Sequence, residues 1–150
     1  MEIKLKERQL LAYFRKNARQ TLTKISRQTG IPVSTIFDKL RKYEEEIITK
    51  HSSLLDFEKL GYMTRAQVFL RTTPENRKLL ASMLSIHQNV NNVFRVNNGY
   101  DFAIEVIFRT VQELENFIED LELERGVTEK QVFYVISEIA RETFLCESKF

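Results

Sequence analysis

The residues best suited to chemistry lie close together: Ser34, Thr35, Asp38, Lys39, Arg41 and Lys42. A helix running from Val33 to about Glu44 would gather Val33, Ile36, Phe37, Leu40 and Tyr43 into an arc of about 120° at roughly 100° per residue. Ser34, Thr35, Asp38 and Lys42 then centre the opposite face, with Lys39 and Arg41 on its flanks. Small hydroxyls can come close to base edges, a carboxylate can accept from a cytosine amino group, and cations can reach phosphates. That is the chemistry of a helix reading double-stranded DNA through the major groove. A merely solvated helix face has the same make-up, so the neighbouring elements have to decide between the two.

The second group is Asn98-Gly99-Tyr100-Asp101. Asn-Gly is the strongest short hairpin signal because both residues tolerate positive φ. Enzyme chemistry finds little to work with. Cys146 is the one cysteine, which excludes an internal disulfide framework, and His51 and His87 make no recognisable metal set with it. No nucleophile, base and orienting group stand in a recognisable order, and the four glycines form no phosphate-cradling loop. The expectation is a protein that is not an enzyme and carries no cofactor.

Three helices surround the first group. Leu10, Leu11 and Phe14 recur at helical spacing between Lys4 and Lys16, and Asn17-Ala18-Arg19-Gln20 breaks the pattern. Thr21 can cap a second, short helix carrying Leu22, Ile25 and Thr29, which stops at Gly30. The third follows the turn Gly30-Ile31-Pro32. This order is a helix-turn-helix. The acidic run Glu44-Glu45-Glu46 must point away from DNA, and Ile47–Ser52 reads as a short strand with a return at Ser53–Asp56, a small wing. His51 there is expected to face solvent or a phosphate.

The second half alternates differently. Tyr62–Arg71 is rich in strand formers, and Thr73-Pro74-Glu75 opens a helix with Leu79, Leu80, Met83 and Leu84 as its buried stripe. Val90–Val96 and Tyr100–Phe108 are strands paired across Asn98-Gly99. Thr110-Val111-Gln112-Glu113 is a capping box before a helix whose core positions are Leu114, Phe117, Ile118 and Leu121. Val132–Ile136 is the last strand. The order β-α-β-β-α-β is ferredoxin-like, with both helices on one face of an antiparallel sheet. Phe102, Ile104, Val106 and Phe108 take one face of the third strand, and Ala103 and Ile107 share the other with Glu105. Both faces being largely apolar, the uncovered one is expected to pack on a second copy of the sheet; cover by the N-terminal helices is the alternative.

The 150 residues, 43% hydrophobic and 29% charged, suffice for one ordinary domain or two small ones. The net charge of +2 is unevenly spread. Residues 1–50 hold 12 Lys/Arg against 6 Asp/Glu, net +6, and residues 51–150 hold 11 against 15, net −4. One half is suited to a polyanion and the other is not. The acidic face of the last helix, from Glu113 to Glu124, would keep the sheet off the duplex. The start of the chain lacks the apolar stretch of a signal peptide and no apolar run reaches membrane-spanning length, so a soluble, cytoplasmic protein with no membrane partner is expected.

Across nearly its whole length the chain resembles the leucine-responsive/asparagine-regulator family, Lrp/AsnC. The resemblance rests on Glu7, Leu10-Leu11, Phe14, Asn17 and Arg19 leading into Thr21, and on Gly30 before a helix with Ile36, Leu40 and Tyr43. In the second half it rests on Asn98-Gly99-Tyr100-Asp101-Phe102, similar to the family's Gly-x-Tyr-Asp turn, and on Gly126-Val127 before the last strand. The family's members are dimeric transcription regulators that often assemble into octamers or larger rings, many binding an amino acid between sheet domains of neighbouring dimers. The resemblance implies a homodimer or higher even oligomer, and an amino-acid or other small-molecule effector near Asn98, Gly99, Tyr100 and Asp101. A purely structural turn, with Asp101 only capping it, stands beside that.

Three positions depart from the family pattern. Asn98 replaces the usual turn glycine, Lys130 and Val132 stand where threonine hydroxyls commonly hold the ligand, and no glycine follows the third helix. The resulting expectation is an α+β chain. Residues 1–52 form a winged helix-turn-helix, 53–61 a linker, and 62–150 a ferredoxin-like βαββαβ domain for effector sensing and oligomerisation. Its function is sequence-specific DNA-binding transcription regulation. A low-specificity architectural DNA-binding protein and an effector-sensing assembly module that does not bind DNA are the alternatives.

Overall fold

The computed structural model describes residues 4–146. The chain divides into two compact units, one holding the residues up to Leu54 and from Ile139 onward, the other Leu55–Glu138.

The first unit is built on α1 (Leu5–Lys16), α2 (Leu22–Thr29) and α3 (Val33–Glu46). Each boundary has a local cause. The Thr21 hydroxyl accepts from the Lys24 amide at 3.3 Å, and Gly30 ends α2 at φ 70°, where a side chain would be strained. Leu10, Leu11, Phe14, Ile25, Ile36 and Tyr43 form the shared core. The segment from Ile139 joins this unit through Arg15, whose guanidinium donates to the Phe144 carbonyl at 3.0 Å and to the Glu142 carbonyl at 3.2 Å.

The expected wing is not formed. Residues 47–56 contain no strand. The amides of Ile47 and Ile48 both donate to the Tyr43 carbonyl, at 2.8 and 2.6 Å, and their side chains pack against the helical core. The apolar pair that suggested a strand therefore closes the end of α3 and plugs the core beneath it.

The second unit runs β1 (Thr64–Thr72), α4 (Arg77–Ile86), β2 (Val90–Arg95), β3 (Phe102–Phe108), α5 (Val111–Glu124) and β4 (Val127–Tyr134). The strands form one antiparallel sheet in the order β2-β3-β1-β4, the ferredoxin-like topology. Ala66, Val68 and Leu70 of β1 join Phe102, Ile104 and Val106 of β3 against Leu80, Leu84, Leu114, Ile118 and Leu121 of the two helices. Thr110 caps α5 by accepting from the Glu113 amide at 3.2 Å.

Three details differ from the sequence reading. Helix α4 starts at Arg77, after a turn over 74–76, and Leu79 is 68% exposed. Strand β4 begins at Val127, because Val127 pairs with Thr72 and Glu129 with Arg71, leaving Thr128 at an irregular step in the register. Ile136 accordingly lies beyond the strand. The uncovered sheet face is also less apolar than expected: Phe69, Phe94 and Phe133 share it with Arg65, Gln67 and the buried Glu105. Glu105 accepts from Arg65 at 2.6 and 2.9 Å, from Gln67 at 3.2 Å and from Asn92 at 3.3 Å, with Asn91 closer still.

Candidate functional site

Helix α3 is rolled relative to the wheel drawn from sequence. Its buried residues are Ile36 and Tyr43, with Leu40 half-buried, whereas Val33 is 42% and Phe37 54% exposed. At roughly 100° per residue the buried direction lies about 40° from the centre expected of five apolar positions. The contacts with α1 and α2 set this angle, because Leu10, Phe14 and Ile25 receive Ile36 and Tyr43.

The roll sorts the expected contact residues. Ser34, Asp38 and Arg41 lie at the centre of the outer face, with Lys42 to one side and Phe37 to the other. Ser34, Thr35, Asp38 and Arg41 are exposed, and their side chains make no hydrogen bond or ion pair among the described residues. Lys42 is held only loosely by Glu46, at 3.9 Å and one turn away. Lys39 is set apart from the other five. It is half-buried and its ammonium donates to Glu7 at 3.1 Å, tying α3 to α1. His51 pairs with Glu44 at 3.0 Å.

The hairpin turn presents the opposite state. Asn98 and Gly99 have φ of 63° and 87°, as the Asn-Gly signal requires, and a Cβ on Gly99 would stand 2.9 Å from the Arg71 guanidinium. Asp101 is 7% exposed. Its carboxylate accepts from the Thr72 amide at 2.9 Å, from Arg77 at 2.9 Å and from Arg95 at 3.0 Å. The Thr72 amide, followed by the two guanidinium groups, holds its carboxyl below the usual aspartate value. Its main chain is equally engaged, with the amide donating to the Leu70 carbonyl and the carbonyl accepting from Val96. Tyr100 donates to Glu129 at 3.2 Å beneath the Arg71 guanidinium, and Arg71 also caps the Gly99 carbonyl.

The turn residues named from sequence thus sit together, but within an arginine clamp that sequence reasoning missed. Arg71 and Arg77 lie 24 or more positions from Asp101, and no spacing rule connects them to it. Thr128, at the start of β4, places a hydroxyl beside this region, donating to the Arg71 carbonyl at 3.3 Å. Among the described residues no group of His, Cys, Asp and Glu is arranged to hold a metal, and no helix is long and apolar enough to cross a membrane.

Comparison with known proteins joins the two halves. The Lrp/AsnC ligand binding domain family matches residues 65–145. An uncharacterized HTH-type transcriptional regulator of Pyrococcus furiosus is 26% identical over 98% of this chain and 99% of its own. The HTH-type transcriptional regulator FL11 of Pyrococcus horikoshii is 26% identical over 75% of this chain and 76% of its own. Among solved structures, a Neisseria meningitidis transcriptional regulator in complex with L-Met has a TM-score of 0.85 at 20% identity, covering 94% of each chain. Escherichia coli AsnC has a TM-score of 0.81 at 18% identity, covering 94% of this chain and 97% of its own. These relatives are regulators rather than enzymes. With the family match spanning more than half of its length, the chain belongs to the Lrp/AsnC family of transcription regulators.

Proposed function

We propose that the chain regulates transcription by reading double-stranded DNA with the outer face of α3, as a homodimer or higher even oligomer whose sheet unit senses a small molecule. The observation that carries this reading is that Ser34, Asp38 and Arg41 are exposed and uncommitted on the third helix of a helix-turn-helix arrangement. Arg41 and Lys42 supply phosphate affinity, and Ser34, Thr35 and Asp38 read base edges. Lys39 serves the α1–α3 contact first.

Residues 1–52 act as the DNA-binding part, 53–61 as linker, and the sheet unit as the part that assembles and senses. Phe69 and Phe133 of the open sheet face, 6.0 Å apart, support packing on a second copy. Two recognition helices then meet half-sites about one helical turn, or a multiple of it, apart. The ligand-binding-domain match and the L-Met complex of the Neisseria protein support an effector, an amino acid or another small molecule, at the hairpin turn. Asn98, Gly99 and Tyr100 are the residues of that turn that would meet it, while Asp101 holds the turn in shape.

Selection of bound duplexes from a random pool at physiological salt tests the reading. The expected result is a near-palindrome bound at least about a thousandfold more tightly than a scrambled control. Binding without enrichment would make the chain an architectural protein, and no binding with retained assembly would make it a sensing module only.

A further inference from the structure

We propose that Phe37 is a base-reading residue, its ring making an apolar contact with the 5-methyl group of a thymine in the major groove. The inference rests on the DNA-reading role proposed for α3. Phe37 follows directly on the fully buried Ile36, yet it is 54% exposed and makes no ring contact among the described residues. The rolled helix carries it out of the core and onto the flank of the face that Ser34, Asp38 and Arg41 occupy.

The placement has a cost in water. A phenylalanine presents on the order of 200 Å² of surface, so roughly half of that remains hydrated here. Val33, one turn earlier and 42% exposed, extends the same edge, so the helix bears an apolar strip beside hydroxyls and charges. Arg41 lies one turn later along that edge. The thymine 5-methyl is the one apolar group among base edges in the major groove. A ring at the flank of the face can reach it while Ser34 and Asp38 meet polar edges, and Arg41 meets the backbone or a guanine. The strip thus reads the feature that the polar residues cannot.

The test uses the duplex selected by the full-length wild-type chain, with each thymine of the half-site replaced in turn by deoxyuridine, which removes only the methyl. At one position the wild type is expected to lose about fourfold in affinity, the worth of one buried methyl. Phe37→Ala is expected to bind both duplexes alike there, with the salt slope of the wild type retained. Phe37→Leu, which keeps an apolar side chain, is expected to retain part of the discrimination. Its thermal midpoint and that of Phe37→Ala show whether folding is intact. Indifference of the wild type to every deoxyuridine, or an undiminished methyl effect in both variants, overturns the assignment while leaving DNA reading intact. Failure of the wild type to select any sequence removes the DNA-reading role itself.

Discussion

Asp38 and Asp101 are the same residue type in opposite states. Asp38 projects from the middle of the outer face of α3 with no partner among the described residues. Asp101 is buried, with one backbone amide and two guanidinium groups on its carboxylate. A charge whose hydrogen bonds are satisfied inside its own unit is spent on shape, whereas a free charge on a rigid helix is available to a ligand. The same contrast separates Lys39, bound to Glu7, from Arg41, bound to none of the described residues. Spare hydrogen-bonding capacity is what the outer face of α3 has and the hairpin turn lacks.

The largest expected effect would break the contrast at its locked end. Asp101→Asn removes the charge that two arginines converge on, and should lower the unfolding free energy of the chain by about 2 kcal/mol. The cost of breaking a buried pair is reduced here because both arginines are partly exposed. DNA affinity under folding conditions should be unchanged. A stability loss below the error of denaturant titration would show that the clamp is decorative. The pH dependence has a definite sign: the folded carboxyl titrates below its ordinary value of 3.8, so its contribution is complete above that range and lost as pH falls through the depressed folded value. As pH is lowered through 3.8 and below, the thermal midpoint should therefore fall further for the wild type than for Asp101→Asn.

At the free end, Asp38→Ala should leave the thermal midpoint within a degree or two. It should also abolish a preference of about tenfold for cytosine at one position of the half-site, read by competition between single-base variants of the selected duplex. Loss of stability without change of preference would place Asp38 with Asp101. A smaller effect comes from Tyr43, whose hydroxyl is buried in the helical core with no hydrogen-bond partner among the described residues. Burial, with the Glu7 charge nearby, pushes this phenol up to about 12. Tyr43→Phe removes an unsatisfied polar group and should stabilise the chain by up to about 1 kcal/mol in the same titration.

Much of this architecture was legible in the sequence because it depends on local rules. Thr21 and Gly30 bracket α2, and the Asn98-Gly99 pair sets the hairpin. Long-range contacts decided what local rules could not. The roll of α3 depends on which of five apolar residues α1 and α2 accept, and periodicity treats all five alike. Ile47-Ile48 has the composition of a strand, yet no strand lies beside it and a core does. The early start of β4 was hidden because an edge strand exposes polar residues such as Thr128 and Glu129. At the candidate sites, sequence named a helix whose outer face is exposed and a turn that is formed. It did not show that Lys39 and Asp101 are already engaged, since their partners lie up to 32 positions away.

If Arg41 and Lys42, the exposed cations of α3, meet the phosphate backbone, the salt dependence of binding to the selected duplex shows it most directly. The wild type and Arg41→Ala/Lys42→Ala should be titrated in parallel from low to physiological salt. Removing two phosphate contacts should reduce the slope of log K against log salt by about 1.8 and weaken all sequences alike. An unchanged slope would contradict the assignment of this face to DNA.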